Sequence, residues 1–281
     1  MPLVQLVVHA VVAAFTEAAG MSGAAHAMAL GLWIAPPEPS AIAGAAGLGT
    51  GLGAVIALRA RLFPALSEGA RAVSHPASFL SQPRAREALV FAWIPAVSAV
   101  LSLALRSAGA APPPSPRTLA IGLGVTGVAL FLAAQVARWR AEPGTAPGRA
   151  GSKGAAAPRD MPSLAGATLA GAAHAFGVWP GASRVGLAAA VLLAIGVRPA
   201  RALPFAIGAT VPFWWGDFVR ALPDAGALGK GQASLVAVFA FLGAFGAAAA
   251  LRALAQRRAL VALPLWMIPL SCAIFAYAGA T

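Results

Sequence analysis

Charged residues are scarce in this sequence, and acidic residues are the scarcest. Asp, Glu, Lys and Arg together make up 10% of the 281 residues, whereas an average soluble domain contains roughly 25%. Only eight residues are Asp or Glu, against 20 Lys and Arg, and 59% of the residues are hydrophobic. This composition excludes a large water-soluble domain and indicates a polytopic all-α membrane protein.

The sequence has only one cysteine, and it has no basic stretch before its first apolar run. The single Cys272 excludes an intramolecular disulfide and leaves the redox compartment open. Because no basic stretch precedes the first apolar run, we expect no cleavable signal peptide. The net charge of +12 does not indicate nucleic acid, since the basic residues cluster in short loops between apolar segments and so follow the positive-inside rule.

Apolar stretches long enough to cross a membrane, which takes about 20 residues, recur along the chain. Six of them predict transmembrane helices at residues 41–63, 87–108, 118–139, 201–222, 233–254 and 259–280. Two others, 3–34 and 164–197, are interrupted near the middle by polar, Gly-containing steps at 17–22 and 179–184. Since non-helical backbone at membrane depth needs a protein or polar environment, these two predict re-entrant helical hairpins.

The order of one hairpin followed by three spans occurs twice. Residues 1–139 and 161–281 form the two predicted repeats, and the Gly- and Pro-rich residues 140–160 form a cytoplasmic linker. Three spans are an odd number, so the halves are expected in opposite orientations, the inverted-repeat plan of many transporters. An N-terminus outside places most Lys and Arg in inside loops. The hairpin tips then meet near the midplane.

Four polar residues fall inside the predicted hairpins, where a charge is costly and therefore marks a functional candidate. They are Glu17, Ser22, His26 and Arg184. Glu17 is a candidate general base or cation ligand, and His26 a candidate acid, base or nucleophile. The two charged residues have opposite signs and come from different tips.

The second tip has the features of an anion-binding helix start. Gly181 follows a proline, Ser183 suits a helix N-cap, and Arg184 adds a planar fork that matches phosphate oxygens. A carboxylate and a histidine beside such a nest suit phosphoryl transfer to water.

Each of these residues also has a purely structural interpretation. Glu17 and Arg184 would pair only to hold the hairpins together, and His26 would be a hydrogen-bonded core histidine. Asp217, which follows two tryptophans, is expected at the membrane interface beside an aromatic belt rather than in a catalytic role.

The two tips resemble the motifs of the undecaprenyl-pyrophosphate phosphatases, the bacitracin-resistance protein family. The family's first motif, E-G-x-T-E-F-L-P-x-S-S-x-G-H, compares with AAFTEAAGMSGAAH at 13–26. Its second motif, P-G-x-S-R-S-G-x-T, compares with PGASRVGLA at 180–188. The resemblance extends over the whole chain in architecture, with six spans and two re-entrant hairpins in an inverted repeat.

The chain departs from these motifs at four positions that carry acidic or hydroxyl residues in the family. These positions are Ala13, Gly23, Val185 and Ala188. His174 lies as far from Ala13 along the chain as Gly181 lies from Gly20, which places it at the pseudo-symmetric position of the second hairpin. We hypothesise that His174 supplies a compensating titratable group, the alternative being a core histidine.

The resemblance implies hydrolysis of a polyprenyl diphosphate to the monophosphate, for recycling of a cell-envelope lipid carrier in the bacterial inner membrane. It implies a divalent cation, Mg or Ca, for which Glu17 is the candidate ligand. Ser22, Gly181, Ser183 and Arg184 are the candidate diphosphate-binding residues. A lipid-phosphate binder or transporter on the same scaffold is the alternative, and a small-ion channel a weaker one. The expected partners are the bilayer and the polyprenyl diphosphate, with a homodimer as an option. Prenyl length, metal identity and nucleophile stay open.

Overall fold

A computed structural model describes residues 3–34, 39–141 and 159–280. Most of the predicted linker, 140–160, lies outside the described residues. The described part is helical apart from an isolated parallel bridge between Arg159 and Val197. Its α-helices are α1 Leu3–Ala18, α2 Gly23–Gly31, α3 Pro39–Ser74, α4 Ser78–Ser81, α5 Pro83–Ser107, α6 Pro116–Ala141, α7 Leu164–Ala175, α8 Arg184–Ala194, α9 Pro199–Ala221, α10 Gly229–Gln256 and α11 Ala262–Ala280.

Five of these helices are long and apolar enough to cross a membrane: α3, α5, α6, α10 and α11. Each contains or nearly coincides with a predicted span, so the polytopic all-α fold is confirmed. The sixth predicted span, 201–222, coincides with α9, which is 23 residues long but is not among the five. Pro204, Pro212 and Asp217 lie within it and reduce its apolar character.

Both predicted hairpins are helix–turn–helix units made of short helices. α1 has 16 residues and α2 has nine, while α7 has 12 and α8 has 11. None of the four reaches the roughly 20 residues that a span requires. The first turn passes through Gly20 and Ser22 at positive φ, and the second contains a 3₁₀ turn, Phe176–Val178, and Gly181 at positive φ.

The centre of the bundle is formed by α3, which packs between α9 and α10. Glycines on alternate faces of α3 allow this approach. A Cβ at Gly47 would lie 2.7 Å from the carbonyl oxygen of Trp214 in α9, and a Cβ at Gly49 would lie 2.0 Å from that of Ala237 in α10. Small residues at helix crossings are typical of membrane bundles, and this crossing brings α9 against the hairpins.

The two hairpin tips touch each other. A Cβ added to Gly186, in the first turn of α8, would lie 2.4 Å from the carbonyl oxygen of Gly20 in the other tip. Helix α1 packs on α10 as α7 packs on α5, and α3 contacts α9 as α6 contacts α11. The inverted repeat and the membrane orientation of the halves stay predictions.

Candidate active site at the hairpin tips

A cavity of about 310 Å³ lies between the two tips, with α3 and α9 forming its other walls. Its polar lining includes Glu17 and Ser22 of the first tip, Arg184 of the second, Asp217 of α9 and Thr50 of α3. The indole rings of Trp179 and Trp214, together with small residues of α1 and α3, complete the lining. The structure therefore brings the predicted acid and guanidinium from different tips into one cavity.

The first tip holds the Glu17 carboxylate through the backbone. The Gly23 N–H donates to Glu17 Oε2 over 2.7 Å. A Cβ at Gly23 would lie 2.5 Å from the carbonyl oxygen of Ala13 and 3.0 Å from Glu17 Cβ. A serine here, as in the family motif, would therefore force the turn or Glu17 to move. Gly23 fits this close approach.

Ser22 occupies an unusual backbone conformation at the same tip. Its φ is +66° and it is almost fully buried. Its hydroxyl accepts from the Ala25 N–H, so Ser22 is the N-cap of α2. Non-glycine residues in this region cost of order 1–3 kcal/mol and cluster at functional sites. Glycine would adopt the same φ without this cost, so stability does not account for the serine.

The second tip presents Arg184 at the start of α8. Arg184 is 9% exposed. Its Cζ lies 4.9 Å from the centre of the Phe213 ring, and its Nη1 lies 4.0 Å from Asp217 Oδ2. A Cβ at Gly177 would lie 2.1 Å from Arg184 Cγ. A ring, a carboxylate and a glycine thus fix the direction of this guanidinium.

Of the two residues of the second tip that were predicted to bind diphosphate, Gly181 lines the cavity and Ser183 does not. The Ser183 hydroxyl accepts from the Gly186 N–H, its N–H donates to Thr126 Oγ1, and its side chain does not line the cavity. The structure thus places Ser183 as a buried helix cap. Gly181 does line the cavity, at φ +79°, with Leu119 of α6 packed against it.

The structure does not bring His26 into the cavity. Its Nδ1 lies 2.8 Å from the Ser22 carbonyl oxygen, and its Nε2 accepts from the Trp266 indole N–H over 2.9 Å. Since Nε2 accepts, Nδ1 carries the proton and donates to Ser22. Both nitrogens of a neutral ring are occupied, and His26 links α2 to α11.

His174 is likewise outside the cavity, whereas the hypothesis that it supplies a compensating titratable group requires it to lie in the site. It is fully buried, with Nδ1 2.7 Å from Ser98 Oγ and Nε2 2.9 Å from Thr210 Oγ1. Because the Thr210 hydroxyl donates to the Ala206 carbonyl, Nε2 must donate to Thr210 and Nδ1 must accept from Ser98. The imidazole of His174 also packs on the Phe213 ring, and the Arg184 guanidinium packs on the same phenylalanine.

Asp217 is the site residue that the sequence argument assigned to the interface. It lines the cavity, faces Arg184, and forms an ion pair with Arg220 one turn further along α9. Its spacing from Arg220 was visible in the sequence, but its approach to Arg184 depends on how α9 packs against the second tip.

Two buried N–H groups on cavity-lining residues, Arg184 Nε and Trp179 Nε1, have no hydrogen-bond partner among the described residues. The indole N–H of Trp214 interacts with the Glu17 carboxylate. A buried donor left unpaired costs roughly 1–3 kcal/mol. The cavity therefore has unpaired hydrogen-bond donors, and a ligand rich in acceptor oxygens would pair with them.

The carboxylates of the cavity number two, Glu17 and Asp217. In the part of the chain that the structure describes, no cluster of three or more His, Cys, Asp or Glu side chains could hold a metal by itself. Mg²⁺ commonly takes one or two protein carboxylates and completes its shell with substrate phosphates and water. The donor set fits that type of site.

Comparison with known proteins identifies one family. A family model described as bacitracin resistance protein BacA matches residues 6–273, which takes in both tips and all long helices except the last part of α11. No curated protein matches the chain.

Proposed function

Because the chain belongs to the BacA family of bacitracin resistance proteins, whose members are undecaprenyl-pyrophosphate phosphatases, we propose that it hydrolyses a polyprenyl diphosphate to the monophosphate. The observation that carries the proposal is the cavity at the tips, where a buried arginine and a carboxylate from different halves face one space. Family membership supplies the reaction class, and the cavity supplies the residues.

The chemistry of the cavity matches a diphosphate. The Arg184 guanidinium suits two phosphate oxygens at once, and the start of α8 favours negative charge. The unpaired N–H groups of Arg184 and Trp179 add buried donors, and hydrogen bonds are stronger in a buried site than in water. Apolar residues of the bundle surround the cavity, as a prenyl chain requires.

The polar residues of the cavity have distinct roles in the proposed reaction. Arg184 binds the diphosphate and stabilises the charge that develops on the transferred phosphoryl group. Glu17 accepts a proton from the attacking water through its carboxylate. Water attacks the terminal phosphorus, the bond to the bridging oxygen breaks, and inorganic phosphate and the lipid monophosphate leave. Ser22 donates its hydroxyl to a phosphate oxygen, and Asp217 orients Arg184.

A divalent cation fits this arrangement. Glu17 and Asp217 would hold it together with the diphosphate oxygens, and it would neutralise phosphate charge.

A lipid-phosphate binder or transporter is the second candidate function. The observation that favours it is the absence of acidic or hydroxyl side chains at Ala13 and Gly23, two positions that line the cavity. Retention of Glu17, which lines the cavity and whose carboxylate accepts from the Gly23 N–H, favours the enzyme.

The protein is a multi-pass membrane protein of helical bundle type. We place it in the bacterial inner membrane with the N-terminus outside, on the distribution of its basic residues. Under this arrangement the first hairpin opens to the outside. The inverted orientation of the halves and a homodimer stay predictions.

Phosphate release from farnesyl diphosphate or undecaprenyl diphosphate by the purified full chain tests the proposal. Release that depends on Arg184 and Glu17 is expected. Binding of the diphosphate without release, whichever divalent ion is supplied, would favour the binder or transporter instead.

A further inference from the structure

A second and larger cavity, of about 490 Å³, lies between the ends of α6, α8 and α10, the start of α9 and the segment that precedes α11. It shares no residue with the site at the tips. Helix α8 connects the two, since Arg184 opens the helix at one cavity and Leu193 near its end lines the other. Leu193 follows Arg184 by nine residues, a rise of about 14 Å along the helix.

The lining of this cavity is strongly basic. Four arginines contribute to it, namely Arg138, Arg140, Arg198 and Arg258, and none of the lining residues is Asp or Glu. Such a concentration of one sign on the wall of a cavity attracts anions.

One of these arginines is already neutralised and two are not. Asp160, just outside the cavity, forms ion pairs with Arg198 and Arg201. The hydrogen bond from Arg198 holds the pKa of Asp160 below its usual range, so the carboxylate is charged. Arg138 and Arg258 make no ion pair with any residue that the structure describes.

Arg140 is fixed to the wall by the end of α8. Its Nη1 donates to the carbonyl oxygens of Ala194, over 2.7 Å, and Leu193, over 3.3 Å. Gly196 follows at φ +91°, and a Cβ there would lie 3.1 Å from the same nitrogen. The chain therefore turns closely around a guanidinium held in place, rather than leaving it free in solvent.

The rest of the lining is apolar. Residues from the ends of α6 and α8, from the loop after α8 and from the segment before α11 form it: Ala134, Ala137, Leu193, Val197 and Leu260. A free inorganic anion gains nothing from such a wall. An amphiphile, with a charged head and hydrocarbon chains, would contact both the arginines and the apolar side chains.

We propose that this cavity binds the phosphate headgroup of an anionic membrane lipid, with the start of its acyl chains against the apolar wall. The cavity lies at the end of the bundle where Arg138, Arg140, Arg198, Arg257 and Arg258 gather, the end predicted to face the cytoplasm. Basic pockets between helices on that side of a membrane are known to take anionic lipid heads. Arg138 and Arg258 provide the attraction, and Arg140 provides a fixed donor.

Binding of phosphatidylglycerol to the purified full chain in nanodiscs tests this proposal. The wild type is expected to retain phosphatidylglycerol in native mass spectrometry and to unfold at higher temperature with it than with phosphatidylcholine. The variant Arg138→Gln/Arg258→Gln is expected to bind phosphatidylglycerol about 30-fold more weakly, since each surface arginine contributes roughly a fivefold factor near an anionic lipid.

The matched control is Arg84→Gln/Arg86→Gln, which removes two exposed arginines outside the cavity, at the start of α5. It is expected to bind the lipid as the wild type does. An equal loss of phosphatidylglycerol binding in both double variants would show that only the overall charge of the protein matters, and it would overturn the proposal. A full shift with phosphatidylcholine, or with inorganic phosphate alone, would overturn it as well. Phosphatase activity is not the readout, so the result is independent of the proposed reaction.

Discussion

Asp217 Oδ2 lies 4.0 Å from Arg184 Nη1 across the cavity at the hairpin tips. This contact joins α9 to the start of α8 and orients the guanidinium against the Phe213 ring. Ala13, which replaces an acidic residue of the family motif, lines the same cavity. Asp217 therefore supplies the second carboxylate of the cavity, from a different helix than Glu17.

The variant Asp217→Asn is expected to lower phosphate release by about 10–100-fold, because a misdirected catalytic group commonly costs on this scale. The measurement is phosphate release from farnesyl diphosphate at saturating substrate. Asp224→Asn is the matched control, since Asp224 is exposed and outside the cavity. Equal activity of Asp217→Asn and wild type would remove Asp217 from the site.

Ser22→Gly separates function from stability. The φ of +66° at Ser22 costs serine of order 1–3 kcal/mol, so glycine is expected to leave the unfolding temperature unchanged or raise it. Phosphate release is expected to fall at least about tenfold, since one charge-assisted hydrogen bond to a phosphate is lost. A destabilised variant with normal turnover would show that Ser22 acts only as a helix cap.

His26 is expected to act through structure. The variants His26→Ala and Trp266→Phe each remove the bond between Nε2 and the indole N–H. Thermal unfolding of both and of the double variant should therefore show a coupling of about 1 kcal/mol. His26→Ala should keep phosphate release within about tenfold of wild type. A loss of more than about a thousandfold, with an unchanged unfolding temperature, would instead return His26 to a catalytic role.

Chelation tests the proposed cation. EDTA is expected to abolish phosphate release, and Mg²⁺ to restore it in the wild type, because two carboxylates and a diphosphate suit a divalent ion. In Glu17→Gln the Mg²⁺ concentration needed for half-maximal rate should rise. Full activity in EDTA would exclude a cation in the reaction.

The sequence predicted the elements better than the partners of single residues. Long apolar runs marked the spans, and the polar steps at 17–22 and 179–184 marked both turns, because length and polarity along the chain are local properties. The partners of His26 and His174 come from Trp266, Ser98 and Thr210. Hydrogen bonds between distant helices leave no periodic signal, so a core histidine and a catalytic one look alike before the helices are packed.

Asp217 lies in the site although the sequence did not predict it there, for the same reason that the histidines were misplaced. Two tryptophans before it favour an interfacial position, and nothing local indicates that α9 carries it to the second tip. Its approach depends on the glycines of α3, which allow α9 close contact at Gly47.

The most direct test of the account compares the purified wild type with Glu17→Gln and Arg184→Lys in phosphate release from undecaprenyl diphosphate, with Mg²⁺ present. The wild type is expected to release phosphate. Both variants are expected to fall by at least about a hundredfold, because one removes the base and the other the planar fork. Undiminished release in either variant, or none from the wild type while the diphosphate still binds, would contradict a phosphatase built on these two residues.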